Sequence, residues 1–258
     1  MTLLREPHEL DFAAVRAKFF AEGYARLGRW ASDEILAAMR ARSDDIMLAR
    51  VDHTPFFFQH DSPSGLYEDL TYGQGWRGPS PDYRKIEKLE RDEVFLRWLR
   101  NPLFARVAAE LIGGPTNLYR ALIFAKSGGG GTELPWHQDG GAFWGLDREP
   151  FLQIWTALDD APREAGCVEV SPRSHLAGLA TPDGGVVPAP LVASMREPAL
   201  ALPAVAGEVI LIHNHLWHRS RRNATGNPRR AFTACLLDAA TKCRRKKRAP
   251  REFFRVFD

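Results

Sequence analysis

Long apolar runs are missing from this chain of 258 residues. Nothing approaches the ~18 uninterrupted apolar residues of a membrane helix, and no basic start leads into an apolar core with a small-residue cleavage site. Neither a membrane span nor a secretory leader is therefore expected. Cysteine is scarce: Cys167, Cys235 and Cys243 are odd in number and widely spaced, which excludes a disulfide framework or a cysteine zinc motif and fits a reducing cytoplasm. A large charge excess is missing too. With a net charge of +3 and no nucleic-acid-binding motif, no nucleic-acid partner is expected. Gly128 to Gly131 are not followed by Gly-Lys-Ser/Thr, so there is no phosphate-cradling loop. Apolar residues make up 45% and charged ones 26%, enough for a sizeable buried core. No internal repeat divides the chain, and one domain over 1–258 is the simplest organisation.

Two histidines, a carboxylate and a distant arginine stand out among what is there. Trp136-His137-Gln138-Asp139-Gly140 puts His137 and Asp139 one residue apart, so on an extended segment both side chains point to one face and can grip one ion. A third ligand must come from elsewhere, and His213, His215 and His218 are the rivals. Gly207 to Ile212 reads as a turn glycine leading into a buried strand, and His218 stands just before the turn-forming Asn223 to Pro228, which favours it. His213 and His215 then become strand-end residues or outer partners that orient a ligand. Two histidines and one carboxylate on one face of an octahedral ion leave the opposite positions open, which suits Fe(II) binding a cosubstrate and O2. Asp139 has a structural alternative, a turn cap before Gly140-Gly141. Strand alternation lets only one of Arg229 and Arg230 face the interior, so Arg230 is expected at the surface.

In this order the residues resemble the phytanoyl-CoA dioxygenase-like family of Fe(II)/2-oxoglutarate-dependent oxygenases, whose pattern is His-x-Asp, Gly-Asp-Val, His-x-Ser-x-x-Asn and a later Arg. Gly207-Glu208-Val209 departs only in having Glu208 for Asp, while His218-Arg219-Ser220-Arg221-Arg222-Asn223 keeps the pattern. The likeness extends to Phe20-Ala21-Glu22-Gly23-Tyr24, to 152–160, and to Ser171-Pro172-Arg173-Ser174-His175, where Arg173 replaces a glycine. It implies iron held by His137, Asp139 and His218, the far carboxylate of 2-oxoglutarate on Arg229, and secondary cosubstrate contacts from Ser220 and Trp155. A guanidinium suits that task because it stays charged and offers parallel donors to a planar carboxylate. The implied chemistry couples decarboxylation of 2-oxoglutarate to oxidation of an unactivated C–H bond. Hydroxylation is the default, with ring closure, desaturation and epimerisation open. Asp139 argues against halogenation, because related halogenases carry a small residue there.

The fold expected from the resemblance is mainly β with flanking helices, a double-stranded β-helix (jelly-roll, cupin-like) barrel. The patterning agrees. Helical spacing at 9–21, 32–48 and 92–111, with a break at Asn101-Pro102, predicts a largely helical buttress with substrate loops over 1–115. Strand-like runs at 118–125, 152–158, 167–170, 208–212 and 232–237 predict the barrel within 116–240. A basic C-terminal segment, 241–258, carries the cationic run 242–248, expected to be a solvated stretch, with 253–257 folding back. Loops 61–82 and 127–131 are candidates for substrate contact, the second being either a mobile flap or an ordinary hairpin connection. Aromatic residues near the motif suit a small-molecule substrate such as a glycoside or polycyclic natural product, with coenzyme A thioesters and amino acids also open. Two alternatives stand beside this: a structural or hydrolytic Zn(II) site in the same ligands, and an anion- or nucleic-acid-binding protein that uses the basic segment.

Overall fold

The computed structural model describes residues 10–245 and 251–258. Helix ends fall where local chemistry places them. α1 (Phe12–Glu22) starts at Asp11, whose carboxylate accepts from the Ala14 N–H, and stops at Gly23 in the left-handed conformation. α2 (Asp33–Met47) starts at Ser32, whose hydroxyl accepts from the Ile35 N–H. α3 (Glu93–Leu99) and α4 (Pro102–Leu111) separate at the expected Asn101-Pro102 step, where Asn101 caps the Leu103 N–H and Pro102 takes the first helical position. α5 (Ala189–Ala193) is a single short turn.

The strands are β1 (Tyr24–Arg29), β2 (Phe57–His60), β3 (Tyr83–Glu87), β4 (Thr116–Lys126), β5 (Leu134–Gln138), β6 (Leu152–Ala157), β7 (Val168–Val170), β8 (Gly185–Val186), β9 (Leu200–Leu202), β10 (Glu208–His213), β11 (His218–Ser220), β12 (Arg229–Asp238) and β13 (Phe254–Phe257). The larger sheet runs β1-β10-β6-β12-β4-β3-β2, with β13 also on β4, and the smaller runs β8-β5-β11-β7-β9. One face of the larger sheet, with Ile123, Ile154, Leu211 and Phe232, packs on helical residues such as Phe19, Met39, Phe95 and Phe104. The other face, with Trp155, Ile210 and Ala231, packs on Val168, Val170 and Leu202 of the smaller sheet. This is the jelly roll with external helices. Every residue of β6 is buried because both its faces are covered, which is why it reads as a nearly continuous apolar run.

The sheet extends beyond the expected 116–240. The first 115 residues supply β1, β2 and β3, and β13 comes from the C-terminal segment. β1 carries Gly28 at a register shift against β10, and such a short, irregular edge strand leaves little alternation to read. The basic run divides: Lys242 to Arg245 are tied in place, with the Lys242 N–H donating to Asp147, while 246–248 lie outside the described residues. Among the described residues, no helix is long and apolar enough to cross a membrane.

Arg230 corrects the surface expectation. It does face away from Arg229, but the opposite side of the sheet is buried under α2, and only 8% of Arg230 is exposed. Its guanidinium donates to both Asp159 oxygens (2.8 and 3.1 Å) and to Asp44 Oδ1 (2.7 Å), and Arg40 also pairs with Asp159 at 3.1 Å. Arg230→Ala would remove two charge-assisted bonds from the largely buried Asp159 and leave it paired with Arg40, so chemical denaturation is expected to show a loss of about 2 kcal/mol. A loss no larger than the ~0.5 kcal/mol of an exposed pair would refute the clamp. Arg173 stands in the left-handed region at φ 69°, where its Cβ is unfavourable and glycine is not. Arg173→Gly is expected to raise stability by about 1 kcal/mol, read as a higher Tm.

Candidate active site

β5 and β11 are neighbours in the smaller sheet, and their register sets His218 directly opposite His137. The two rings lie 4.0 Å apart between centroids. Each is turned by its own strand: His137 Nδ1 donates to the Pro135 carbonyl and His218 Nδ1 to the Leu216 carbonyl, both at 2.8 Å. A carbonyl only accepts, so each Nδ1 carries a proton, and in the neutral ring Nε2 is the nitrogen left with a lone pair. Burial, with His218 alongside, pushes the His137 pKa down to about 3, so that ring stays neutral and able to ligate.

Asp139 follows β5 and is anchored by its N–H to the Asn214 carbonyl at 2.8 Å. Burial would raise its pKa, but Arg120 and the two histidines outweigh burial and hold the carboxyl ionised, at about 2. Arg120 Nη2 donates to Oδ1 at 3.0 Å and Gln153 Nε2 donates to Oδ2. With the carboxylate turned this way, no group of three or more metal-binding side chains converges on one point among the described residues. The donor set nonetheless fits an ion. Asp139 Oδ2 stands 3.8 Å from His218 Nε2, and a shift of under ~1 Å brings it to the ~3 Å between neighbouring donors of an ion bonded at ~2.1 Å. His213 and His215 are elsewhere: the His215 N–H donates to His213 Nδ1, and the His215 carbonyl accepts from Gln138.

His137, Asp139 and His218 line a cavity of about 60 Å³ between the sheets, shared with Trp155, Ser220 and Arg229. Arg229 begins β12 and is 3% exposed. Its Nη2 donates to the Gly166 carbonyl at 2.8 Å, and its Nε has no partner among the described residues. Burial lowers its pKa to about 10, which still leaves it protonated at neutral pH. Sequence patterning passed over several other wall residues. Lys126 is the cross-strand partner of Arg229, and burial together with that guanidinium drives it toward the neutral amine, whose Nζ donates to the Thr132 carbonyl. Arg84, Phe124, Thr132, Gln153 and Thr233 complete much of the wall. The strand-end position of Lys126 was the available signal, but only the pairing of β4 with β12 shows that it faces Arg229.

The two candidate loops are held at this end. The Thr132 N–H and hydroxyl both donate to Asp61 Oδ1 at 2.7 Å, and the Glu133 N–H donates to the Gly65 carbonyl. The glycine run is pinned by the 223–227 turn: the Asn223 side chain donates to the Ser127 carbonyl, and a Cβ on Gly128 would meet the Gly226 oxygen at 2.3 Å. Its glycines serve close approach to that turn as well as backbone freedom.

A jelly roll that gathers two histidines and a carboxylate beside a buried cation defines the class of non-haem, metal-dependent oxygenases. The family model described as Phytanoyl-CoA dioxygenase (PhyH) matches residues 19–231, and the chain belongs to this family. It is therefore a dioxygenase that depends on Fe(II), 2-oxoglutarate and O2. Phytanoyl-CoA dioxygenase domain-containing protein 1 of Bos taurus is 32% identical over 210 residues, 77% of this chain and 70% of that protein. EctD from S. alaskensis, crystallised with 2-oxoglutarate and 5-hydroxyectoine, superposes with a TM-score of 0.74 at 21% identity, over 98% of this chain and 87% of that one. The epimerase SnoN, in complex with Fe3+, alpha ketoglutarate and nogalamycin RO, gives a TM-score of 0.71 at 21% identity, over 95% of this chain and 89% of that one.

The opposed rings predict a sharp contrast among histidines. His137→Ala and His218→Ala are expected to weaken Fe(II) binding by more than the ~10–100-fold of a lost outer contact, whereas His213→Ala and His215→Ala stay within that range. Anaerobic metal titration checks this, and a His215→Ala defect as large as that of His218→Ala would refute it.

Proposed function

We propose that the enzyme holds iron through His137 Nε2, His218 Nε2 and Asp139, seats the far carboxylate of 2-oxoglutarate on Arg229, and oxidises an unactivated C–H bond of a small molecule. The oxidation is a hydroxylation or an oxidative cyclisation, in the tailoring of a natural product such as a glycoside or polycyclic metabolite. The observation that carries this is Arg229, a buried guanidinium with no carboxylate partner among the described residues, on the same cavity as the three donors. A buried charge without a counter-ion is unfavourable, and an anionic cosubstrate removes the penalty.

When bound, iron with 2-oxoglutarate and O2 supplies the oxidant, and the cosubstrate leaves as succinate and CO2. The chain's residues do the placing. His137 and His218 present lone pairs fixed by their Nδ1–H bonds. Asp139 supplies the negative charge, kept ionised by Arg120. The Arg229 fork fixes the diacid at its far end, with the Ser220 hydroxyl and the Trp155 ring as further contacts on the wall. Phe124, Val168 and Ile212 keep this end apolar, which strengthens each polar contact. The small molecules named with EctD and SnoN support a small-molecule substrate. A zinc hydrolase in the same ligands would leave Arg229 without a function. We further propose that 1–258 acts as one catalytic domain and works in the cytoplasm.

Anaerobic addition of Fe(II) and then 2-oxoglutarate to metal-free protein is expected to give the visible charge-transfer band of the chelated complex. Arg229→Ala should keep metal binding yet weaken 2-oxoglutarate roughly a hundredfold, about 3 kcal/mol, while Asp139→Ala loses the band. Metal binding without a band in the unmodified chain would sink the proposal.

A further inference from the structure

Three guanidinium groups stand on the wall of the metal cavity: Arg84, Arg219 and Arg229. Arg219 is paired with Glu169 at 2.7 Å, and Arg229 faces the cosubstrate end. Arg84, on β3, donates through Nη1 to the neutral Gln59 Oε1 at 2.6 Å, its one hydrogen-bond partner among the described residues. Asp61 is the carboxylate whose charge acts on it most, but no ion pair joins the two, and Asp61 Oδ1 accepts twice from Thr132 instead. Unlike Arg229 Nε, the unbonded nitrogens of Arg84 are not sealed from solvent, so they open onto the cavity they line.

A phenol joins it. The loop after Asp61 is tied down at Gly65, which packs so closely on the Arg222 guanidinium that a Cβ there would come within 2.5 Å of its Cζ. Two residues on, the Tyr67 hydroxyl accepts from the Tyr72 hydroxyl at 3.0 Å, which leaves its own proton free to donate. Burial and then Tyr72 push the Tyr67 pKa up to about 12; the nearby Arg84 draws it down and the Asp139 charge adds to the rise. The group is therefore a neutral donor that feels both Arg84 and the metal-binding carboxylate. Apolar surface lies next to these groups. Leu66 and Tyr72 are exposed on the loop. Val186 is the cross-strand partner of His137, so its side chain points to the same face of the sheet, and it too is exposed.

We propose that Arg84 and Tyr67 receive a carboxylate of the primary substrate, a polycyclic metabolite whose rings rest on Leu66, Tyr72 and Val186 while its acid-bearing edge enters the metal cavity. Both carboxylates of 2-oxoglutarate are already assigned, the far one to Arg229 and the near one to iron, so Arg84 is left for a third. A guanidinium with open donors and no paired acid suits a planar carboxylate, and the phenol adds one more donor. Because Arg84 shares a wall with His137 and Asp139, an acid held there brings a C–H bond of the same edge to the metal donors. That catalytic meaning rests on the iron assignment proposed above; the binding event does not.

The test uses the full chain with 2-naphthoate as probe, two fused rings bearing one carboxylate, and neutral 2-naphthylmethanol as control. Naphthalene fluorescence anisotropy reports binding to the metal-free chain and, anaerobically, to the chain loaded with Fe(II) and 2-oxoglutarate. The acid is expected to bind saturably to both and at least roughly tenfold tighter than the alcohol, the share of one charge-assisted bond. Arg84→Met should abolish that preference, Arg84→Lys should restore part of it, and Tyr67→Phe should weaken the acid severalfold. 2-Oxoglutarate should leave the naphthoate affinity unchanged. Absent or equal binding of acid and alcohol overturns the inference, as does an acid preference kept in Arg84→Met. Competition between naphthoate and 2-oxoglutarate overturns it too, because it would put the probe at the cosubstrate end. An intact Fe(II)·2-oxoglutarate band in a chain that does not prefer the acid sinks this inference alone. A missing band with the acid preference intact sinks the iron assignment alone.

Discussion

The rest of the site depends on one register position, the cross-strand pair His137 and His218. A slip of β5 by one residue against β11 would turn His137 to the other face and separate the two imidazoles. The surroundings hold that register. β8 and β7 flank the pair on either side, and the buried Gln138 side chain donates to the Gly178 and His215 carbonyls while accepting from the Ala180 N–H. The same side chain thus ties the metal motif to the loop before β8 and to the chain entering β11. Asp139, bonded through its N–H to Asn214, leaves β5 at a fixed angle beside the pair.

Around that pair the protein keeps an uneven distribution of buried charge. Arg229 and Arg230 are sequence neighbours on one strand, and alternation sends them to opposite faces of the larger sheet. Arg230 meets Asp159 and Asp44 and ties α2 to the sheet. Among the described residues Arg229 meets only a carbonyl, with a depressed Lys126 opposite. The first arrangement is complete without a ligand, whereas the second invites an anion. Arg120 is intermediate, partnered by Asp139 through Nη2 while its buried Nε has no partner among the described residues.

Much of the helical layer was legible because its signals are local. Ser32 and the Asn101-Pro102 step act within a few residues of where they stand, and the structure uses both. The central strands were legible as apolar runs because both of their faces are covered. β1, β2, β3 and β13 were not. They are edge or near-edge strands whose partners lie far along the chain, and β1 and β13 are stabilised by pairing with β10 and β4 more than by any alternation of their own. The glycine run looked free in sequence, and only the Asn223 turn packed against it removes that freedom.

By itself the sequence determined the chemistry on offer: His137 and Asp139 one residue apart, a later His218 in a Ser- and Asn-containing frame, and Arg229 beyond it. Spacing of that kind is a covalent property and survives any fold. Tertiary structure supplied what spacing could not: the register that sets His218 opposite His137, the covered sheet face that gives Arg230 its carboxylates, and the places of Arg120, Gln153 and Lys126 in the site. These outcomes depend on strand register and on which face of a sheet is covered, and both are set by contacts between segments far apart along the chain.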